Sequence, residues 1–411
     1  MRPVKILSIV FCVLLGSLSQ AATPPDLFKH LSNKREPIRL RAIAMLRADP
    51  TAIGANLDVL CRAISQHEAK PPADPSLVPS STLHLIDLVG SVNQTQATDE
   101  LVRLLESPRK EIVMAAADAI GRYSFHDGAL PTLIEQVQRP EFKASYGFRV
   151  SVLRAVSKIS SPAAVEVLTE QAQVLTGQLG FEINEYLDTL TVADFGGDEV
   201  KFEAWKQVRA GPRKPRLQLF DHDPYRRIKL APAQFYGLDI HADRMLFIID
   251  RSGSMAENYK GASRLSRVVA ELSRTLEALP ETSMFSIISY SDKAKVWQQQ
   301  LVPATAEHKR SAIGFLARMY SVGLTNTHEA LTTALFMNQD VEAIYLLSDG
   351  APTTGRIVVP AMILEDITFR NTFRNITINT IGITVTGRAR AFMEQLAEQN
   401  GGQYKLVDTQ R

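Results

Sequence analysis

Apolar residues recur at helical spacing from residue 24 to about residue 208. In the clearest example, Asp99–Glu106 and Glu111–Tyr123 each carry apolar side chains on one face, which indicates a pair of amphipathic helices. Similar pairs recur at intervals of roughly 30–40 residues, the range in which one helical hairpin must stack on the next to bury its apolar face. The other segments are Gly128–Gln138 with Phe148–Ile159, Ala163–Leu175 with Phe181–Leu190, and looser ones at Leu27–Leu46 and at Ile53–Ile64 with Leu83–Val89.

The pattern changes after residue 244, where short apolar runs alternate with amphipathic segments. The runs predict strands at Arg244–Asp250, Ser283–Tyr290, Ala343–Leu347, Ile376–Ile383 and Gln403–Val407. The segments between them predict helices at Ser263–Leu279, Glu307–Met319, His328–Met337, Val359–Phe369 and Arg390–Gln399. This alternation is typical of an α/β fold with a doubly wound, mostly parallel, Rossmann-like sheet. Ligands of such sheets bind at the carboxyl ends of the strands.

The helical segment around residue 110 resembles a HEAT-type repeat. The resemblance rests on Leu101-Val-Arg-Leu-Leu, on Pro108 and on Glu111-Ile-Val-Met-Ala-Ala-Ala-Asp-Ala-Ile-Gly121. It implies that residues 22–208 form an all-α, HEAT-like solenoid. An irregular helical domain without repeat symmetry is the alternative.

The first 21 residues have the features of a secretory signal peptide. A basic start with Arg2 and Lys5 precedes the apolar run Ile6–Leu15, and Ser19 and Ala21 occupy the −3 and −1 positions of a cleavage site. We therefore expect a secreted or periplasmic protein. The apolar run is shorter than the ~20 residues that span a bilayer, so no stable membrane span is expected after cleavage, although an uncleaved anchor is the alternative.

Residues 209–240 are predicted to be a linker between the helical domain and a C-terminal domain at 241–411. Prolines 212, 215, 224 and 232 and an excess of basic side chains make this segment unsuited to a core and suited to a semi-rigid connector.

Charge and cysteine content exclude several classes of function. The 46 basic and 44 acidic residues nearly cancel, so a chain-wide basic surface for nucleic acid is not expected. Cys12 and Cys61 are too few for a cysteine zinc site or a disulfide framework.

Three loops that follow predicted strands or crossovers are rich in side-chain oxygen. Asp250, Ser252 and Ser254 follow the first strand, Thr325 precedes a predicted helix, and Asp349 follows the third strand. Hydroxyl and carboxylate oxygens are the ligands that a hard cation such as Mg²⁺ prefers. The three loops therefore predict a metal site at the carboxyl edge of the sheet.

Residues 244–411 resemble a von Willebrand factor type A domain, and the five oxygen-bearing residues match its metal-ion-dependent adhesion site. The resemblance implies that Ser252 and Ser254 bind the ion directly, that Thr325 binds it directly or through water, and that Asp250 and Asp349 mostly hold coordinating waters. It implies Mg²⁺, with Mn²⁺ or Ca²⁺ as alternatives. A Glu or Asp carboxylate of a protein partner would fill the open coordination position. Leu324 departs from the family pattern, in which a second glycine is common before the threonine.

The sequence predicts a binding protein and not an enzyme, because the Gly-x-Ser-x-Gly, His-Glu-x-x-His and P-loop motifs are all missing. The predicted function is metal-dependent adhesion or scaffolding at the cell envelope. In the alternative, the helical repeats recognise the partner and the C-terminal domain is a rigid module. A metal-dependent hydrolase is a more distant alternative.

Overall fold

The computed structural model describes residues 26–69, 78–123, 126–159, 161–210, 232–259, 261–337, 340–372 and 374–407. The chain divides into two compact units, residues 1–100 and 101–411. The predicted signal peptide and residues 211–231 of the predicted linker lie outside the described residues. None of the helices in the described ranges is both long and apolar enough to cross a membrane.

The first unit is helical. Its helices are α1 (Asp26–His30), α2 (Glu36–Leu46), α3 (Pro50–Ala55), α4 (Leu57–Ala69) and α5 (Ser80–Gly90), and α6 (Thr95–Leu105) continues into the second unit. The apolar segment Leu27–Leu46 forms two helices: Asn33 accepts a hydrogen bond from the Arg35 backbone between them, and Pro37 lies in the first turn of α2. α5 packs against α2 and α4.

The second unit begins with more helices. They are α7 (Lys110–Tyr123), α8 (Leu130–Gln136), α9 (Pro140–Ala144), α10 (Tyr146–Val156), α11 (Pro162–Val174), α12 (Gly177–Asp188) and α13 (Glu199–Ala210). α7 and α10 pack closely, since a Cβ on Gly121 would lie 3.0 Å from the Ala155 Cα atom. The helical character of the N-terminal region is therefore confirmed, whereas a HEAT-like solenoid is not.

The rest of the second unit is an α/β fold. Its strands are β1 (Gln234–Phe235), β2 (Leu238–Asp239), β3 (Arg244–Asp250), β4 (Asn258–Tyr259), β5 (Ala262–Ser263), β6 (Met284–Tyr290), β7 (Ala294–Val296), β8 (Val302–Pro303), β9 (Ala343–Ser348), β10 (Thr377–Ile383) and β11 (Tyr404–Val407). Its helices are α14 (Arg264–Ala278), α15 (Ala306–Ala317), α16 (Thr327–Phe336), α17 (Pro360–Asn371) and α18 (Gly387–Gln399).

The main sheet has the order β11-β10-β9-β3-β6-β7, with β8 also paired to β6. The five strands predicted from the sequence are its five parallel strands, so the mostly parallel, doubly wound architecture is confirmed. β7 and β8 pair with β6 in antiparallel orientation. They were not predicted because each is too short, at 3 and 2 residues, to carry a period of its own.

Two apolar layers cover the sheet. All seven residues of β3 are buried, and successive side chains of a strand point to opposite faces. Met245, Phe247 and Ile249 pack with α14 and α15, whereas Leu246 and Ile248 pack with α16, α17 and α18. Burial on both faces explains why the sequence shows β3 as a continuous apolar run.

The end of the predicted linker belongs to this core. Phe235 on β1 is fully buried, and its ring meets Phe247 edge-on with 5.5 Å between centroids. Leu238 and Ile240 are buried in the same layer. A hairpin of two-residue strands gives no periodic signal, so only its tertiary contacts reveal that residues 233–240 pack on the sheet.

Helix α12 of the second unit begins at a buried carboxylate of the α/β part. The Gln178 backbone N–H donates to Glu342 Oε2 at 2.9 Å, and the Asp243 backbone N–H donates to the same oxygen at 3.0 Å. Gly177 has φ +69°, and a Cβ there would lie 2.2 Å from Glu342 Oε2. Glu342 directly precedes β9, so this junction lies at the amino ends of the parallel strands.

Candidate metal centre

The parallel strands bring their carboxyl ends to one edge of the sheet. β3 ends at Asp250 and lies between β6 and β9, with which it pairs in parallel. β9 ends at Ser348, directly before Asp349. The topology therefore places both carboxylates at the same edge.

Three loops at this edge carry the other candidate donors. The first loop comprises residues 251–257, the second loop residues 318–326 and the third loop residues 349–359. The second loop leads into α16, and the third leads into α17.

Hydrogen bonds join the first loop to the other two. The Gly253 backbone N–H donates to the Gly323 carbonyl of the second loop at 2.9 Å. The Ser254 hydroxyl donates to Asp349 Oδ1 of the third loop at 2.7 Å. Ser252 Oγ lies 3.2 Å from Ser254 Oγ. The structure thus places Ser252 and Asp349 each within hydrogen-bonding distance of Ser254.

The second and third loops are also joined. The Thr325 backbone N–H donates to Thr353 Oγ1 at 2.8 Å, and the Thr353 N–H donates to the Thr325 carbonyl at 2.9 Å. Thr325 is buried. Its position at the site is therefore set by its backbone, which completes a closed triangle of hydrogen bonds among the three loops.

Asp250 is fully buried beneath these loops. Its Oδ1 accepts a hydrogen bond from the Ser252 backbone at 2.8 Å, and its Oδ2 accepts one from the Ser348 hydroxyl at 2.5 Å. Burial raises the pKa of Asp250 to about 6, against the lowering effect of those hydrogen bonds, and the neighbouring Asp349 carboxylate raises it further. Two adjacent carboxylates with little access to solvent favour a cation between or beside them.

The family model for the von Willebrand factor type A domain matches residues 245–351, which span β3 to the start of the third loop. The chain contains a von Willebrand factor type A domain.

The relatives of this domain are matched over a limited length. Inter-alpha-trypsin inhibitor heavy chain H4 from Homo sapiens is 29% identical over 181 residues, covering 40% of this chain and 18% of that protein. Von Willebrand factor A domain-containing protein 3A from Homo sapiens is 28% identical over 164 residues, covering 39% of this chain and 13% of that protein. Among solved structures, a von Willebrand factor type A protein from Catenulispora acidiphila matches at 18% identity with a TM-score of 0.35, covering 41% of this chain and 39% of that one.

A guanidinium group in the von Willebrand factor type A domain lies beside the candidate donors and was missed by sequence reasoning. Arg264 Nη1 lies 2.9 Å from Asp349 Oδ2, and Arg264 Nη2 lies 2.5 Å from the exposed Glu257 carboxylate. The sequence contained one signal that Arg264 has an acidic partner. Arg264 is the first residue of α14, where a basic side chain is unfavourable because the amino end of the helix dipole is positive.

Sequence reasoning also missed the hydrogen bonds of Asn326, the last residue of the second loop, which hold that loop against α16 and Asp292. Asn326 caps α16, since its Oδ1 accepts a hydrogen bond from the Glu329 backbone at 3.2 Å. Its Nδ2 donates to Glu329 Oε2 at 2.7 Å and to the Asp292 carbonyl at 2.9 Å. Asparagine three residues before glutamate is a sequence signal for a helix start, and it was available here.

The donor set of this domain suits a hard cation. It combines hydroxyl groups and two carboxylates, without a thiol or imidazole in the three loops. In the described part of the chain, no three His, Cys, Asp or Glu side chains are grouped so that they could hold a metal ion. Any ion at this edge would therefore depend on serine and threonine oxygens as well as on the carboxylates.

Proposed function

We propose that the von Willebrand factor type A domain binds a protein partner through a divalent cation, with Mg²⁺ the best match to the donor set. Ser252, Ser254 and Thr325 would hold the ion, and Asp250 and Asp349 would hold its coordinating waters. The observation that carries this proposal is the hydrogen-bonded triangle of loops, which groups Ser252, Ser254 and Asp349 at the carboxyl edge of the sheet.

The protein supplies few charges directly to such an ion. Serine and threonine hydroxyls are neutral donors, so they leave most of the positive charge of the cation uncompensated. The bound ion would supply Lewis acidity toward an external carboxylate. Hydrogen bonds from the Ser252 backbone and the Ser348 hydroxyl hold the Asp250 carboxylate in one orientation. A Glu or Asp side chain of a partner is the ligand that this arrangement favours.

The proposed role is adhesion or scaffolding by a secreted or periplasmic protein, without catalysis. The three loops offer oxygen donors and three arginines, but no histidine or cysteine that could serve as a general base or a nucleophile at neutral pH. We also propose that the signal peptide is cleaved after residue 21. The helical domain would then span 22–208, the linker 209–240 and the von Willebrand factor type A domain 241–411.

Metal binding and partner capture test the proposal separately. Isothermal titration with Mg²⁺ and Mn²⁺ should show one site in the full chain, and Ser252→Ala should weaken it at least tenfold. Capture of proteins from an envelope fraction should require Mg²⁺ and be lost with EDTA and with Ser252→Ala. Ser266→Ala, an exposed serine on α14, is the matched control.

Two outcomes would contradict the proposal. Failure to bind either cation would remove the metal centre. Capture that persists in EDTA with Ser252→Ala would favour recognition by the helical region instead.

A further inference from the structure

Exposed apolar side chains are concentrated on, or directly after, two of the three loops that form the candidate metal centre. In the described part of the chain, ten large apolar residues are exposed, and six of them lie on the second loop, the third loop or the first turn of α17. Those six are Tyr320, Val322, Leu324, Val358, Val359 and Met362. Exposed apolar groups gathered in one region are typical of an interaction site.

Three of the six are nearest in sequence to the donor Thr325, and we call Tyr320, Val322 and Leu324 the apolar rim. Their side chains are 69%, 43% and 52% exposed, respectively. The departure of Leu324 from the family glycine therefore adds an apolar group directly beside the site.

The apolar rim is held in place by the fold. The Val322 backbone N–H donates to the Arg251 carbonyl at 2.8 Å, and the Leu324 N–H donates to Asp292 Oδ1 at 3.3 Å. The bond from Gly253 to Gly323 fixes the residue between them. Since this backbone is already ordered, a ligand that covers the rim gains apolar burial without the cost of ordering the loop.

The charges around the rim indicate what kind of ligand fits. The Arg251 guanidinium lies 5.8 Å from the centre of the Tyr320 ring, so a positive group accompanies the apolar surface. The exposed carboxylates of Asp292 and Glu257 lie on the same edge of the domain. Arg318 on the second loop and Arg356 on the third loop are also exposed, so the edge carries charges of both signs. Such a mixed surface suits a polypeptide segment with one acidic residue, and the vesicle measurement below tests an anionic membrane surface instead.

We infer that the domain selects a polypeptide segment in which an acidic residue is flanked by apolar side chains. The acidic residue binds at the metal centre, and its apolar neighbours pack on the apolar rim. The inference rests on the proposed function, because the metal centre positions the carboxylate. It adds a preference for the residues that flank the acidic residue of the partner, because the metal centre by itself recognises only the carboxylate.

Two synthetic peptides test the preference with the full chain in Mg²⁺. One is acetyl-Gly-Leu-Glu-Leu-Gly-amide, the other is acetyl-Gly-Gly-Glu-Gly-Gly-amide, and each has a counterpart with Gln in place of Glu. Isothermal titration or ligand-observed NMR measures the dissociation constants. The Leu-flanked Glu peptide should bind about tenfold more tightly than the Gly-flanked one, as expected for partial burial of two leucines.

Variants assign this preference to the apolar rim. In Tyr320→Ser and Leu324→Ser, the ratio of the two dissociation constants should fall toward one. Phe336→Ser is the matched control, since Phe336 is also 69% exposed but lies at the far end of α16 from Thr325, and the ratio should keep its wild-type value.

The outcomes separate the inference from the proposed function. Equal binding of both Glu peptides, with loss in EDTA and with Gln, would overturn the inference and support the metal centre. Absence of any difference between Glu and Gln peptides would overturn the proposed function and the inference with it. Rim-dependent binding to phosphatidylglycerol vesicles, without a preference between the peptides, would overturn the inference in favour of a membrane surface.

Discussion

Arg264 forms an ion pair with Asp349 in which Nη1 and Oδ2 are 2.9 Å apart, and the Asp349 side chain has no exposure to solvent. The other oxygen of Asp349 accepts a hydrogen bond from the Ser254 hydroxyl. One carboxylate thus connects the guanidinium on α14 to the candidate donors on the first loop. In this arrangement Arg264 supplies positive charge beside the place proposed for the cation.

We predict that Arg264→Gln increases the affinity for Mn²⁺ about five- to tenfold, because it removes a like charge beside the cation. In EDTA the same variant should lose about 1–2 kcal/mol of unfolding free energy, because Asp349 loses its charged partner. Titration calorimetry and urea unfolding measure the two effects. Weaker Mn²⁺ binding by the variant would instead assign Arg264 to holding Asp349 in position.

Asp250→Asn should separate stability from metal binding. A buried carboxylate costs free energy that a neutral amide of the same shape avoids, so the variant should be about 1–2 kcal/mol more stable than wild type at pH 7 in EDTA. Mg²⁺ should raise the Tm of the wild type and leave the Tm of the variant unchanged. Scanning calorimetry with and without Mg²⁺ tests both statements, and an equal Mg²⁺ response in the two proteins would argue against the site.

Glu342 should make stability fall as pH rises. Burial raises the pKa of Glu342 from its ordinary value of 4.5 to about 8, with the Asp243 carboxylate adding to the effect. A raised pKa in the folded state means that the folded protein binds the proton more tightly than the unfolded chain. Its contribution is therefore full below about pH 4.5 and is lost as pH rises toward 8.

We predict that Glu342→Gln removes this part of the pH dependence, which is on the order of a few kcal/mol between pH 5 and 8. Urea unfolding at several pH values measures it. Glu398→Gln, an exposed glutamate on α18, is the control and should leave the pH profile as in the wild type. A wild-type profile in Glu342→Gln would contradict the assignment.

Gly323 and Gly350 give a matched pair at the candidate site. Gly323 has φ +78°, and a Cβ there would lie 1.8 Å from Asp292 Oδ2, whereas a Cβ on Gly350 would meet no atom within 4 Å. Gly323→Ala should cost about 1–3 kcal/mol of unfolding free energy and weaken Mg²⁺ binding, since the second loop must shift. Gly350→Ala should change both quantities little. Thermal unfolding and Mg²⁺ titration check the pair, and equal effects would show that the space at Gly323 is unimportant.

The central parallel strands β3, β6, β9 and β10 were predictable because they are buried almost throughout. β3 is buried on both faces, so Arg244–Asp250 appears in the sequence as one apolar run with the limits that the structure gives. The helical segments were less exact. Ile53–Ile64 forms parts of α3 and α4, which are interrupted at Asn56, where the Asn56 side chain bonds the Ala52 carbonyl. Local hydrogen bonds of this kind decide helix ends more than apolar spacing does.

The sequence by itself determined the five parallel strands and the helices between them, and it placed the oxygen-bearing residues in three loops, because burial period and chain order are local properties. Only the tertiary structure decided which side chains meet. Arg264 and Asp349 are 85 residues apart, and Gln178 and Glu342 are 164 residues apart. Such pairs depend on how α14, α12 and β9 pack, and packing is a property of the whole folded chain that no short segment encodes.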